Sequence, residues 1–83
     1  MPYIPLEERA ELAAGDPIKT PGRLNYILSV AILRYYRNSA QNYQAVNDIM
    51  GALEGAKQEF YRRVAIPYED YKIKQNGDVY DGI

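Results

Sequence analysis

Val46-Asn47-Asp48-Ile49-Met50-Gly51-Ala52-Leu53-Glu54-Gly55-Ala56-Lys57-Gln58-Glu59-Phe60-Tyr61-Arg62-Arg63-Val64 is the stretch whose reading decides the fold. Its apolar residues Val46, Ile49, Met50, Leu53, Ala56, Phe60, Tyr61 and Val64 recur at spacings of three and four, which lines one face of an α-helix. The pattern predicts a helix over residues 40–65 that carries the core. Gly51 and Gly55 stand four residues apart inside it, with Ala52 and Ala56 beside them. Each Gly costs about 1 kcal/mol relative to Ala in a helix interior. A close approach of a second helix would offset that cost; the other reading is a pair of tolerated surface glycines.

Upstream, residues 38–42 form a polar break of the length of a tight helix-to-helix turn, with Ser39 available as an N-cap. The preceding helix spans 20–37. Thr20 can accept from free backbone N–H groups, and Pro21 suits the first helical position because its missing N–H had no partner to lose. Leu24, Ile27, Leu28, Ala31, Ile32 and Tyr35 form one apolar stripe and Tyr26, Val30 and Leu33 a second, so the helix is apolar over most of its circumference. One partner helix cannot cover such a surface, and the excess predicts an oligomer. Residues 1–19 read as an arm with a short helix that starts at Pro5 and is ended by Gly15, Asp16 and Pro17. Leu6 and Leu12 are its expected docking residues; the alternative is an arm that becomes fixed on a neighbouring subunit.

Downstream of the long helix, two readings compete. Residues 71–80 alternate around Asn76-Gly77, the sign of a two-residue β-hairpin, but a lone hairpin is barely stable in water. In the reading adopted, Pro67 begins or kinks a helix over 67–76 that Gly77 caps, with Glu69 and Asp70 in its first turn and Lys72 and Lys74 in its last. Residues 78–83 are then a tail. The expected fold is all-α in a single small domain, 1–83. It is a hairpin of two long antiparallel helices with a short N-terminal helix and a Pro-initiated C-terminal extension, assembled as a homo-oligomeric bundle.

Composition narrows the functions. A chain of 83 residues buries only about 60–65% of its unfolded surface. With no Cys and no His, neither disulfides nor the usual zinc sets can reinforce it, and the Ser-His and Cys-His arrangements of nucleophilic catalysis cannot be assembled. The carboxylates Glu54 and Glu59 are five apart on different faces, and no Gly-rich phosphate loop follows a strand. The expectation is a non-enzyme without metal or cofactor. No membrane-spanning run and no leader are apparent, so a cytoplasmic protein is expected, in the host cytoplasm if phage-encoded. Ten basic against eleven acidic residues argue against general nucleic-acid binding, which requires many phosphates to be neutralised.

The aromatic content is biased: nine Tyr, one Phe and no Trp. Such rings favour half-buried sites where the hydroxyl keeps a partner. Arg34, Tyr35, Tyr36 and Arg37 close the first long helix, while Tyr61, Arg62 and Arg63 near the end of the second precede Tyr68, Tyr71, Lys72 and Lys74. Guanidinium forks grip phosphate oxygens in pairs and Tyr rings stack on bases. Arg62, Arg63, Tyr61, Tyr68, Arg37 and Tyr36 are therefore the candidate ligand-binding residues. The plainer reading of the same residues is Arg favouring helix C-termini and pairing with Glu59 or Asp70 at the surface. In an antiparallel hairpin the two clusters would lie at opposite ends and meet only across a subunit boundary.

Pro21-Gly22, Leu24-Asn25-Tyr26-Ile27, Asn47-Asp48-Ile49, Glu59-Phe60-Tyr61-Arg62-Arg63-Val64, Pro67-Tyr68-Glu69-Asp70 and Asn76-Gly77-Asp78-Val79-Tyr80 together resemble a family of small uncharacterised phage and prophage proteins. The resemblance covers nearly the whole chain and implies a setting rather than an activity. Phage genomes carry short homo-oligomeric proteins, some of which soak up cyclic or ADP-ribose-type nucleotides made by host defences, although no motif of a characterised sponge is present. Two functions follow as expectations. One is a homo-oligomer that sequesters such a ligand in intersubunit Arg/Tyr pockets. The other is a helical module that docks on a host or virion protein through its Tyr-rich surface.

Overall fold

The computed structural model describes residues 2–82 and is helical, with no strand among the described residues. Its elements are α1 (Leu6–Ala13), α2 (Pro21–Arg37), α3 (Tyr43–Phe60), a π-helical turn (Tyr61–Ala65) and α4 (Ile66–Asn76). The chain divides into two compact units, Met1–Ile49 and Met50–Ile83.

In the N-terminal unit each helix end has a local chemical cause. Pro5 precedes α1, and Glu7 and Glu8 lie in its first turn, where the helix dipole favours acids. Gly15, at φ +99°, ends it. The Gly15 amide donates to the Leu12 carbonyl at 3.1 Å and the Asp16 amide to the Glu11 carbonyl at 3.0 Å, the paired bonds of a Schellman stop. At α2, Thr20 accepts from the Arg23 amide at 3.1 Å and Pro21 takes the first position, as the Thr-Pro pair predicts. Such a cap is worth about 1 kcal/mol.

The turn after α2 differs from expectation in its cap. The Ser39 hydroxyl donates to the Tyr36 carbonyl at 2.6 Å and accepts from the Gln41 amide at 3.0 Å, so it serves the end of α2. Asn42 caps α3 by accepting from the Ala45 amide at 3.0 Å. The long helix accordingly starts at Tyr43 rather than Ala40. Gln41, between the two caps, has φ +54°.

Packing in this unit joins α1 to α2. Leu12 is 6% exposed and Ala45 4%. Leu6, expected to dock beside Leu12, is 77% exposed. Arg23 ties the two helices: its guanidinium donates to Glu8 at 2.9 Å and to Glu11 at 3.4 Å. Glu8 and Glu11 are three apart and share a face of α1, so one guanidinium reaches both. Arg9 donates from Nε to the Ile4 carbonyl at 2.9 Å and sits 5.7 Å from the centroid of the Tyr26 ring, which holds the arm before α1.

The C-terminal unit is one helical run interrupted in type. Pro67 has no N–H, and in an α-helix its ring would press on the carbonyl four residues earlier. The turn before it is widened to π geometry, with the Ile66 amide donating to the Tyr61 carbonyl five residues back. The helix then continues as α4 and stops at Gly77, at φ +91° and ψ 155°, backbone values open essentially to glycine alone. The Asn76-Gly77 pair thus ends a helix; it does not turn a hairpin.

The apolar stripe read as core is not buried here. None of the described residues of this unit is buried, and only Leu53 and Ala65 are half-covered. The Gly51-Gly55 pair is open as well, since a Cβ built at either would meet nothing within 4 Å. The spacing identified one face of the helix; a covering surface for it is not supplied within the unit.

Candidate functional site

Four of the six sequence-predicted site residues fall in the C-terminal unit, at and just beyond the π-turn. Arg62 donates from Nη2 to Glu59 Oε1 at 3.0 Å and to Oε2 at 3.1 Å, and Arg63 donates from Nε to Glu59 Oε1 at 3.0 Å. One carboxylate thus serves two guanidinium groups, leaving a surplus positive charge. Both arginine side chains are exposed, at 63% and 70%, so each pair contributes less than about 1 kcal/mol and yields readily to a competing anion.

Tyr61 donates its hydroxyl to Glu69 Oε2 at 3.0 Å. That hydrogen bond, and then the negative charge of Glu69, hold the Tyr61 hydroxyl above the ordinary tyrosine value of 10.0. Tyr68 is exposed, with the Lys72 ammonium 5.7 Å from its ring centroid. The ring therefore has a cationic neighbour and an open surface, which suits stacking on an electron-poor or anionic group. A shallow depression of about 430 Å³ opens farther along, lined by Lys72, Ile73, Val79 and Tyr80 among others. Tyr61, Arg62 and Arg63 do not line it.

Tyr36 and Arg37 belong to the N-terminal unit, in the last turn of α2. The Tyr36 hydroxyl donates to the Gln41 carbonyl at 3.3 Å, which commits it to the turn, while Arg37 is exposed. Beside them Arg34, Tyr35, Asn38 and Ser39 line a second open depression of about 420 Å³.

Three participants escaped the sequence reading. Lys72 lies one helical turn after Tyr68, a spacing that would have identified the pair. Glu69 lies eight residues after Tyr61, a separation without meaning until the π-turn is known. Arg23, holding Glu8 and Glu11, could have been found from the acidic pair on α1 and the lone cation in the first turns of α2. Among the described residues no group of three His, Cys, Asp or Glu side chains is placed to hold a metal ion. No described helix is long and apolar enough to cross a membrane.

Fold and site define a small all-helical protein whose C-terminal helical run displays arginines and tyrosines around a π-turn. The chain belongs to the family described as Domain of unknown function (DUF6899), whose match spans residues 1–79. No curated protein and no solved structure matches it.

Proposed function

We propose that the protein is a homo-oligomeric binding protein of phage type that sequesters a phosphorylated, nucleotide-type signal without transforming it. The observation that carries this reading is the shared carboxylate of Glu59, which holds two exposed guanidinium groups next to Tyr61 and one turn before Tyr68. A phosphate can take over both guanidinium forks at once, which a single carboxylate cannot satisfy. Arg62 and Arg63 would hold phosphate, and Tyr61 and Tyr68 would stack on bases. Tyr36 and Arg37 would supply a further Tyr/Arg pair from the N-terminal unit. An exposed helix surface becomes a pocket when another copy walls it, and the large apolar side chains left open in both units favour such assembly. The antiparallel pairing of α2 with α3 and its growth into a bundle belong to this proposal.

The test is a calorimetric and thermal-shift screen with cyclic di- and trinucleotides and cyclic ADP-ribose isomers, followed by chromatography of the ligand recovered after denaturation. Saturable binding that is weakened at least tenfold in Arg62→Ala/Arg63→Ala, with intact ligand recovered, supports sequestration. New products would establish catalysis instead. Flat titrations throughout would favour the second reading, a helical module for a host or virion protein. That reading is supported by the exposure of Tyr35, Tyr43, Tyr68, Tyr71 and Tyr80.

A further inference from the structure

Phe60, Val64 and Tyr68 follow one another at intervals of four and are 64%, 53% and 61% exposed. In an unbroken α-helix each step of four drifts by about 40°, so residues eight apart diverge by about 80°. The π-turn cancels the drift, because its wider turn absorbs an extra residue. The Tyr61–Glu69 bond demonstrates the new register: partners eight apart meet at 3.0 Å. Phe60 and Tyr68 span the same turn with the same separation, so they share a face with Val64 between them. Without the π-turn, Pro67 would have stood nearer that line than Tyr68.

We propose that this stripe is the seam with a second copy of the chain, packed antiparallel about a two-fold axis at Val64. The proposal rests on the self-association invoked above and specifies its surface. Area is sufficient. A large aromatic side chain offers about 150–250 Å², and Phe60, Tyr68 and Tyr71 are each more than half exposed. With Val64 they present several hundred Å² per copy, and two copies approach the roughly 1,000 Å² that a specific interface needs.

Charge selects the direction. Glu54 lies toward one end of the run and Lys72 and Lys74 toward the other. Parallel packing sets like on like, whereas antiparallel packing brings Glu54 to Lys74 of the second copy, Phe60 to its Tyr68 and Lys57 to its Tyr71. Glu59 would approach Glu69 of the second copy, but each already has partners, Glu59 in Arg62 and Arg63 and Glu69 in the Tyr61 hydroxyl. The two-fold arrangement makes the patch self-complementary.

The chain has no Cys, so single-Cys variants report contacts cleanly. Val64→Cys, treated with a short bismaleimide, should become mostly covalent dimer, and Met50→Cys should stay largely uncrosslinked. A mixture of Phe60→Cys and Tyr68→Cys should crosslink severalfold more than either alone. Helix content by circular dichroism verifies that these exposed substitutions leave the chain folded. Equal crosslinking at Met50→Cys and Val64→Cys would indicate a parallel pair and overturn the proposal. Light scattering separates the two levels: a monomer overturns both the self-association and the seam, while an oligomer in which Val64→Cys fails to crosslink overturns the seam alone.

Discussion

The N-terminal unit closes on itself, whereas the C-terminal unit presents itself. In residues 1–49 the side chains that stop the helices also bind one element to the next. Ser39 and Asn42 divide one turn between two helices, and Arg23 clasps Glu8 and Glu11 over a buried Leu12. In residues 50–82 polar contacts run along a single helical course, from Arg62 and Arg63 to Glu59 and from Tyr61 to Glu69, and no described residue is buried. The difference separates two requirements. Local hydrogen bonds suffice to define where a helix runs, but burial needs a second surface. The residues best suited to bind something lie on the unit that has not covered its own face.

The sharpest way to break this contrast is Leu12→Ala. Truncating a buried Leu costs about 2–5 kcal/mol, a large share of the stability of so small a protein, so the thermal midpoint should fall steeply. Val64→Ala, on the exposed run, should leave helix content nearly unchanged and weaken assembly. Equal thermal penalties for the two would show that the units are not distinguished by burial.

Gly77→Ala has a smaller and more local expected effect. It forces a Cβ into a backbone region reserved for glycine, at a cost of about 1–3 kcal/mol. Amide exchange should accelerate in the last turn of α4 and remain as before in α1 and α2.

The smallest effect is in titration. Because the folded hydroxyl of Tyr61 is raised above 10.0 by Glu69, the link is present at neutral pH and is lost as pH rises through the raised value. The phenolate difference spectrum between the wild type and Tyr61→Phe should show one tyrosine titrating late. In Glu69→Gln that tyrosine should return toward its ordinary value, because the charge is gone. An unchanged titration would dissolve the register argument along with the bond.

Much of the secondary structure was legible because its signals are local. Thr20-Pro21 announced α2, Gly15 and Gly77 marked stops, and Pro67 marked an irregularity. Ser39 and Asn42 were less easily separated, since both are capping residues in one turn. The hydroxyl of Ser39 is engaged by the Tyr36 carbonyl and the Gln41 amide, which leaves Asn42 for α3. Of the candidate site, Arg62-Arg63 with Glu59 follows from helical spacing. Tyr61 with Glu69 does not, because the separation fits no α-helical interval.

By itself the sequence determined that the chain is helical, roughly where each helix begins and ends, and that arginine and tyrosine cluster near the end of the longest run. These follow from contacts within about five residues, where the backbone and its caps are the only parties. Tertiary structure decided that Leu12 and Ala45 are buried while Met50, Phe60 and Val64 are open. The π-turn decided that Glu69 meets Tyr61. Periodicity reports that a helix has an apolar face, but what covers that face depends on residues distant in sequence. Its register beyond Pro67 depends on how one turn accommodates a missing N–H.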